Sequence, residues 1–146
     1  MLDLFLAILH HVAVFSLVAT LAMEGAMLRA PSLDPMRLVK LDARFGRVAG
    51  LVLLIGIIRV VWGGKGWTFY EANPYFWAKI GLFAAIGLIS ILPTRLFFRW
   101  RKAAAGDAGF TPPADELKRA RLWVGLEALL LIPLLAFAAA MARWPF

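Results

Sequence analysis

The sequence predicts an all-α integral membrane protein, a bundle of four spanning helices with both termini on the non-cytoplasmic side. Three observations carry this. Apolar residues make up 62% of the chain and the mean hydropathy is +0.79, where a soluble domain runs nearer to about half apolar. The apolar residues gather into four runs, each near the ~20 residues that a helix needs to cross a bilayer. The basic residues are shared unevenly among the connections between those runs. The 146 residues make one domain, 1–146, with no internal repeat and no soluble domain.

The first run covers residues 4–28. It lacks a basic leader, is too long for the apolar part of a signal peptide and carries His10, His11 and Glu24. It reads as a retained span. Ala30-Pro31-Ser32-Leu33-Asp34-Pro35 is a turn, with Asp34 placed to cap the next helix and Pro35 at its first position. The second span covers about 40–62, its helix beginning in the interface from near Met36 and stopping at Gly63-Gly64. Residues 63–76 are rich in aromatic residues and read as an interfacial loop. The third span covers about 76–98, with a proline kink expected at Pro93. Residues 103–115 are small, polar and proline-containing and read as the most mobile connection. The fourth span covers about 122–142 and contains Pro133.

Orientation follows from counting charges. The 29–47 connection carries Arg29, Arg37, Lys40, Arg44 and Arg47, and the 99–121 connection carries Arg99, Arg101, Lys102, Lys118, Arg119 and Arg121. The 63–76 connection carries only Lys65 and the C-terminal tail only Arg143. Basic loops stay in the cytoplasm, so both termini and the aromatic loop face outward, with Trp62, Trp67, Tyr70, Tyr75, Trp77 and Trp144 as an outer aromatic belt. The same distribution explains the net charge of +7 by membrane orientation, with no nucleic-acid partner. The expected surroundings are the lipid bilayer of a bacterial inner membrane, with a homo-oligomer left open. No cysteine is present, which excludes thiolate, iron–sulfur and disulfide chemistry.

Ionisable groups inside spans are costly and mark candidate functional positions. Here they are His10, His11, Glu24, Arg59, Lys79, Arg95 and Glu127. His10 lies about 10 Å into the first helix, at roughly 1.5 Å per residue, at a depth that matches Arg59 and Lys79 and defines an outer-leaflet cluster. Glu24, Arg95 and Glu127 lie toward the cytoplasmic side, near Asp42, Arg44 and Arg47. On helical spacing His10, Ala13, Leu17, Thr20, Leu21 and Glu24 share one stripe, which favours a helix contact over a lipid face. His11 points about 100° away. In the last helix Trp123, Glu127, Leu130 and Leu134 share a stripe, turning Glu127 inward. Plainer roles compete with each. Arg59, Lys79 and Arg95 can snorkel to headgroups. Glu24 and Glu127 can pair with arginines, and His10 can be satisfied by an interhelical hydrogen bond. Gly63-Gly64-Lys65-Gly66 lacks the spacing and the hydroxyl residue of a phosphate-binding loop and reads as a turn that anchors Lys65.

One inward histidine in an apolar bundle suits an iron or haem ligand, so His10 is the candidate metal-binding position. Arg59, Lys79 and Lys65 are then the candidate partners for the carboxylates of haem b. Adjacent histidines cannot clamp both faces of one haem, and no histidine occurs outside the first helix. Any haem is therefore five-coordinate, takes an unusual sixth ligand such as Met141, or borrows one from a second subunit. No nucleophilic triad is visible, so no catalytic residue is assigned.

Leu9-His10-His11, then Arg59-Val60-Val61-Trp62-Gly63-Gly64-Lys65-Gly66 and Asn73-Pro74-Tyr75-Phe76-Trp77-Ala78-Lys79, resemble a bacterial family of predicted membrane proteins of unknown function, over most of the chain. More distantly the chain resembles the HemJ-type protoporphyrinogen oxidases and CopD-like membrane proteins. The HemJ type also places a histidine in its first helix, a His-Ala-Lys at the start of a later helix and a glutamate in the last. Here His10, Lys79 and Glu127 match, and Trp77 stands in place of the second histidine. That resemblance implies a haem- or porphyrin-binding protein, with an oxidoreductase activity left open. The competing class is non-enzymatic: a transporter subunit, an assembly factor or a lipid-binding module.

Overall fold

The computed structural model describes residues 1–145. Five helices follow in order: α1 Leu2–Met27, α2 Pro35–Trp62, α3 Trp67–Glu71, α4 Pro74–Gly106 and α5 Ala114–Arg143. No strand occurs among the described residues. The four long helices are each long and apolar enough to cross a membrane. Neighbours pack as α1–α2, α2–α4, α4–α5 and α5–α1, so α1 faces α4 and α2 faces α5 across the diagonals. The termini and α3 lie at one end, here the terminal end. There Lys65 Nζ donates to Ala142 O and Asn73 Nδ2 to Met141 O. The basic connections lie at the other, the basic end, where Arg121 Nε donates to Leu28 O.

The helices overrun the apolar stretches that mark them in sequence. α2 starts at Pro35, α4 continues to Gly106, and α5 begins at Ala114. α4 has 33 residues, about 50 Å at 1.5 Å per residue, against a hydrocarbon core of about 30 Å. Hydropathy reports only the part in lipid. The i→i−4 ladder continues into water wherever charged side chains can point outward. The connection read as residues 103–115 thereby shrinks to 107–113.

Local chemistry sets the ends. Asp34 accepts from Met36 N and Arg37 N at 2.9 and 3.2 Å, with Pro35 at the first helical position. Asn73 does the same for α4 by accepting from Tyr75 N, followed by Pro74. Between them the chain turns at Gly66, whose φ of +73° suits a residue without Cβ, and the aromatic connection closes into α3. Pro93 and Pro133 each lack the N–H of a helical bond, yet α4 and α5 run through both.

Inside, Leu17, Leu21, Leu38, Phe45, Phe97, Trp100, Val124 and Leu131 pack as one core. Outside, Phe15, Leu54, Leu88, Leu129 and Ile132 are exposed along the helix faces, as a lipid-facing surface requires. Lipid tails are as apolar as these side chains, so the helices associate through close packing and hydrogen bonds rather than through removal from water.

Candidate functional site

The stripe on α1 determines what enters the bundle. Leu6, Ala13, Leu17, Thr20, Leu21 and Glu24 are buried, and His10 on the same face is half-buried. His11 is exposed, with its Nδ1 donating to Ala7 O at 2.6 Å. The stripe on α5 is rotated from its sequence-based position. Ala120, Val124, Glu127 and Leu131 are buried, while Trp123, Leu130 and Leu134 are half-buried flanks. Both inward expectations, His10 and Glu127, hold.

At the terminal end a cavity of about 330 Å³ opens between the four long helices and α3. His10 from α1, Arg59 from α2, Tyr70 from α3, Lys79 from α4 and Met141 from α5 line its upper part. Its walls continue down through Val14, Leu17, Val52, Gly56, Phe83, Leu131 and Leu134. From Arg59 to Val52 the cavity descends about 10 Å along α2, and from Met141 to Leu131 about 15 Å along α5. Above it a smaller vestibule of about 180 Å³ is lined by His10, His11, Arg59, Lys65, Phe69 and Lys79 among others. His10, Arg59 and Lys79, far apart in sequence, thus share one wall, and Lys65 stands at the vestibule. Lys65 itself donates to Ala142 O and lies 4.2 Å over the Phe69 ring.

The polar atoms of this cavity are underused. His10 Nδ1 and Arg59 Nε are buried without a hydrogen-bond partner, and no ion pair among the described residues involves Arg59 or Lys79. A buried polar atom left without a partner costs about 1–3 kcal/mol, so Arg59 Nε is poised for an acceptor on a ligand and His10 Nδ1 for a polar partner that its tautomer selects. The imidazole lies beside Gly56, where a Cβ would stand 3.6 Å from His10 Cε1, in ordinary contact. Burial pushes the Tyr70 phenol above the usual tyrosine range, opposed by Arg59, which keeps it a neutral hydroxyl in the wall. Tyr70 escapes sequence reasoning because its aromatic neighbourhood reads as a belt, whereas 6% exposure places it inside.

Nearer the basic end a second polar layer crosses the bundle. Glu24, Asp42 and Glu127 are 2%, 8% and 1% exposed, and Asp42 Oδ1 accepts from Thr94 Oγ1 at 2.7 Å. The arginine partners expected for the two glutamates are not there. Arg29 donates to Gly25 O and Arg121 to Leu28 O, while Arg95 is exposed. Among the described residues no set of three or more histidine or acidic groups gathers to hold a metal ion.

A family model described as a predicted membrane protein (DUF2214) matches residues 2–144. The chain belongs to the DUF2214 family. The match spans all four long helices and both polar layers of this DUF2214 protein. Neither the curated proteins nor the solved structures offer a match to it.

Proposed function

We propose that this DUF2214 protein binds a tetrapyrrole, haem or porphyrin, in the cavity at its terminal end. The observation that carries the reading is the pair of unpartnered buried atoms, His10 Nδ1 and Arg59 Nε, beside Lys79 in an otherwise apolar cavity of about 330 Å³. That volume lies in the range of small-molecule sites. A flat apolar body with carboxylates on one edge suits such a lining: apolar walls for the ring, cations for the acids, an imidazole for iron. The residue set fits the group in those terms. His10 would supply the axial nitrogen, while Arg59 and Lys79 would hold the carboxylates, with Lys65 at the mouth. Val14, Val52, Phe83 and Leu134 would keep water from the ring face. Bound haem would supply electron-transfer or oxidation chemistry, tuned by its axial ligand. The distant HemJ likeness through His10 and Lys79 supports the same reading. The resemblance to a bacterial family supports a bacterial inner-membrane location, and the uneven basic connections support a cavity toward its outer leaflet.

The test is the absorption spectrum of the purified protein. A Soret band is expected as isolated or after haem is added, lost or shifted in His10→Ala. Absence of any band under both conditions overturns the haem form. Absence of porphyrin fluorescence quenching then overturns the porphyrin form.

A second reading has its own support. The cavity narrows its polarity to one end and continues as apolar wall to Leu17, Val52 and Leu131, which also suits an anionic lipid with its chain downward. A co-purifying lipid detected by native mass spectrometry, displaced in Arg59→Ala, supports it. A lipid-free protein counts against it.

A further inference from the structure

The layer toward the basic end has no part in the tetrapyrrole reading, and its composition needs an explanation of its own. Three buried carboxyl groups come from three helices: Glu24 from α1, Asp42 from α2 and Glu127 from α5. They are close enough for Asp42 to act electrostatically on both glutamates, and Glu127 on Glu24. Glu24 and Glu127 are each more than nine-tenths buried, and an oxygen of each, Oε1, has no hydrogen-bond partner. α4 contributes one hydroxyl, Thr94, given to Asp42. The nearest cations on the surrounding elements do not compensate. Arg29 of the α1–α2 turn and Arg121 of α5 bond backbone carbonyls. Lys40, Arg44 and Arg47 of α2 and Arg95 and Arg99 of α4 are exposed.

Adjacent like charges with no counter-ion do not persist in an apolar interior, because desolvation and mutual repulsion act in the same direction. Either cations or protons must make up the balance. The donor set is poor for a metal, with one hydroxyl and no gathered ligand set among the described residues. We propose that Glu24, Asp42 and Glu127 form a proton-binding site within the bundle, in which protons are held between carboxyl groups and titrate as a coupled unit. Its position gives it a route. Leu131, on the floor of the cavity, is one helical turn from Glu127, about 6 Å of rise. The layer therefore lies within about one helical turn of the cavity.

A protonated carboxyl in a membrane interior adds to an apolar carbodiimide. Its O–H proton goes to one nitrogen and its oxygen to the central carbon, with no leaving group and no redox partner. An ionised carboxylate brings no such proton. The experiment treats the purified full-length protein with dicyclohexylcarbodiimide across a pH series and maps adducts by peptide mass spectrometry. The expected result is one adduct on the Glu24 or Glu127 peptide of the wild-type chain, falling at least tenfold as pH rises. In Glu24→Gln/Glu127→Gln it should be lost, with exposed Glu71 and Asp115 unlabelled. Absence of adduct on the wild-type layer overturns the proposal, as does labelling that ignores pH. Protection by sodium chloride but not by choline chloride overturns it in favour of a bound cation. Because mapping is done on the wild-type protein, a variant that fails to fold leaves the test intact. The readout does not depend on what fills the cavity.

Discussion

Gly56 is the residue on which the imidazole rests. His10 on α1 reaches across to α2, and its ring passes where a longer side chain would stand. A single methyl would be in ordinary contact there, 3.6 Å from Cε1, but the branches of valine would enter the ring's space. Gly56→Ala should therefore leave ligand binding within about twofold, since it adds a contact without displacing anything. Gly56→Val should weaken binding by about tenfold or more while shifting the melting temperature little. Titration of each variant with haem, followed by absorbance, checks the pair. Equal binding by both variants would remove His10 from the site. His10 was legible in the sequence by its phase on α1. Gly56 was not, because nothing local distinguishes it from the glycines at 46 and 50, beside which the structure leaves open space.

At the level of elements, the start of α4 is held by one side chain with two tasks. Asn73 is fully buried; it caps its own helix through Tyr75 N and ties it to α5 through Met141 O. Asp34 caps α2 but is exposed and reaches no other helix. A cap alone is worth about 1 kcal/mol, and stranding a buried partner adds about 1–3 kcal/mol. Asn73→Ala should thus lower the melting temperature in detergent by clearly more than Asp34→Ala. A smaller effect would mean that α4 and α5 do not need the tie. The cap of α2 was readable from Asp34-Pro35. Asn73-Pro74 carries the same signature, but its bond to Met141 spans 68 residues and leaves no trace in local sequence. The opposite failure occurs at 103–115, where small residues read as loop although the helix persists through Gly106. Alanine favours helix strongly, and composition outweighed propensity in that reading.

For the whole molecule, the basic connections predict which way the bundle is threaded. The chain has no cysteine, so single-cysteine variants label without background. In intact cells a membrane-impermeant maleimide should label Gly64→Cys at the terminal end, and Ser32→Cys and Asp107→Cys only after lysis. The reverse pattern would invert the assignment made from the basic residues. The four spans and their order were plain from hydropathy. That the polar residues sort into two layers of opposite sign was only partly so. Depth along each helix separates His10 from Glu24, but the convergence of Asp42 and the absence of arginine partners depend on how the helices pack.

Those two layers, about 20 Å apart along α1, lie along the direction of the membrane's electric field. With the termini outward, a proton moved from the level of His10 to that of Glu24 would cross roughly two-thirds of the hydrocarbon thickness. At about 2.3 kcal/mol per charge per 100 mV, an interior-negative potential would favour its arrival by about 1.5 kcal/mol. The proton affinity of the carboxyl layer would then rise about tenfold, or about one pH unit, at a potential of about 100 mV, and the bundle would register voltage as well as acidity.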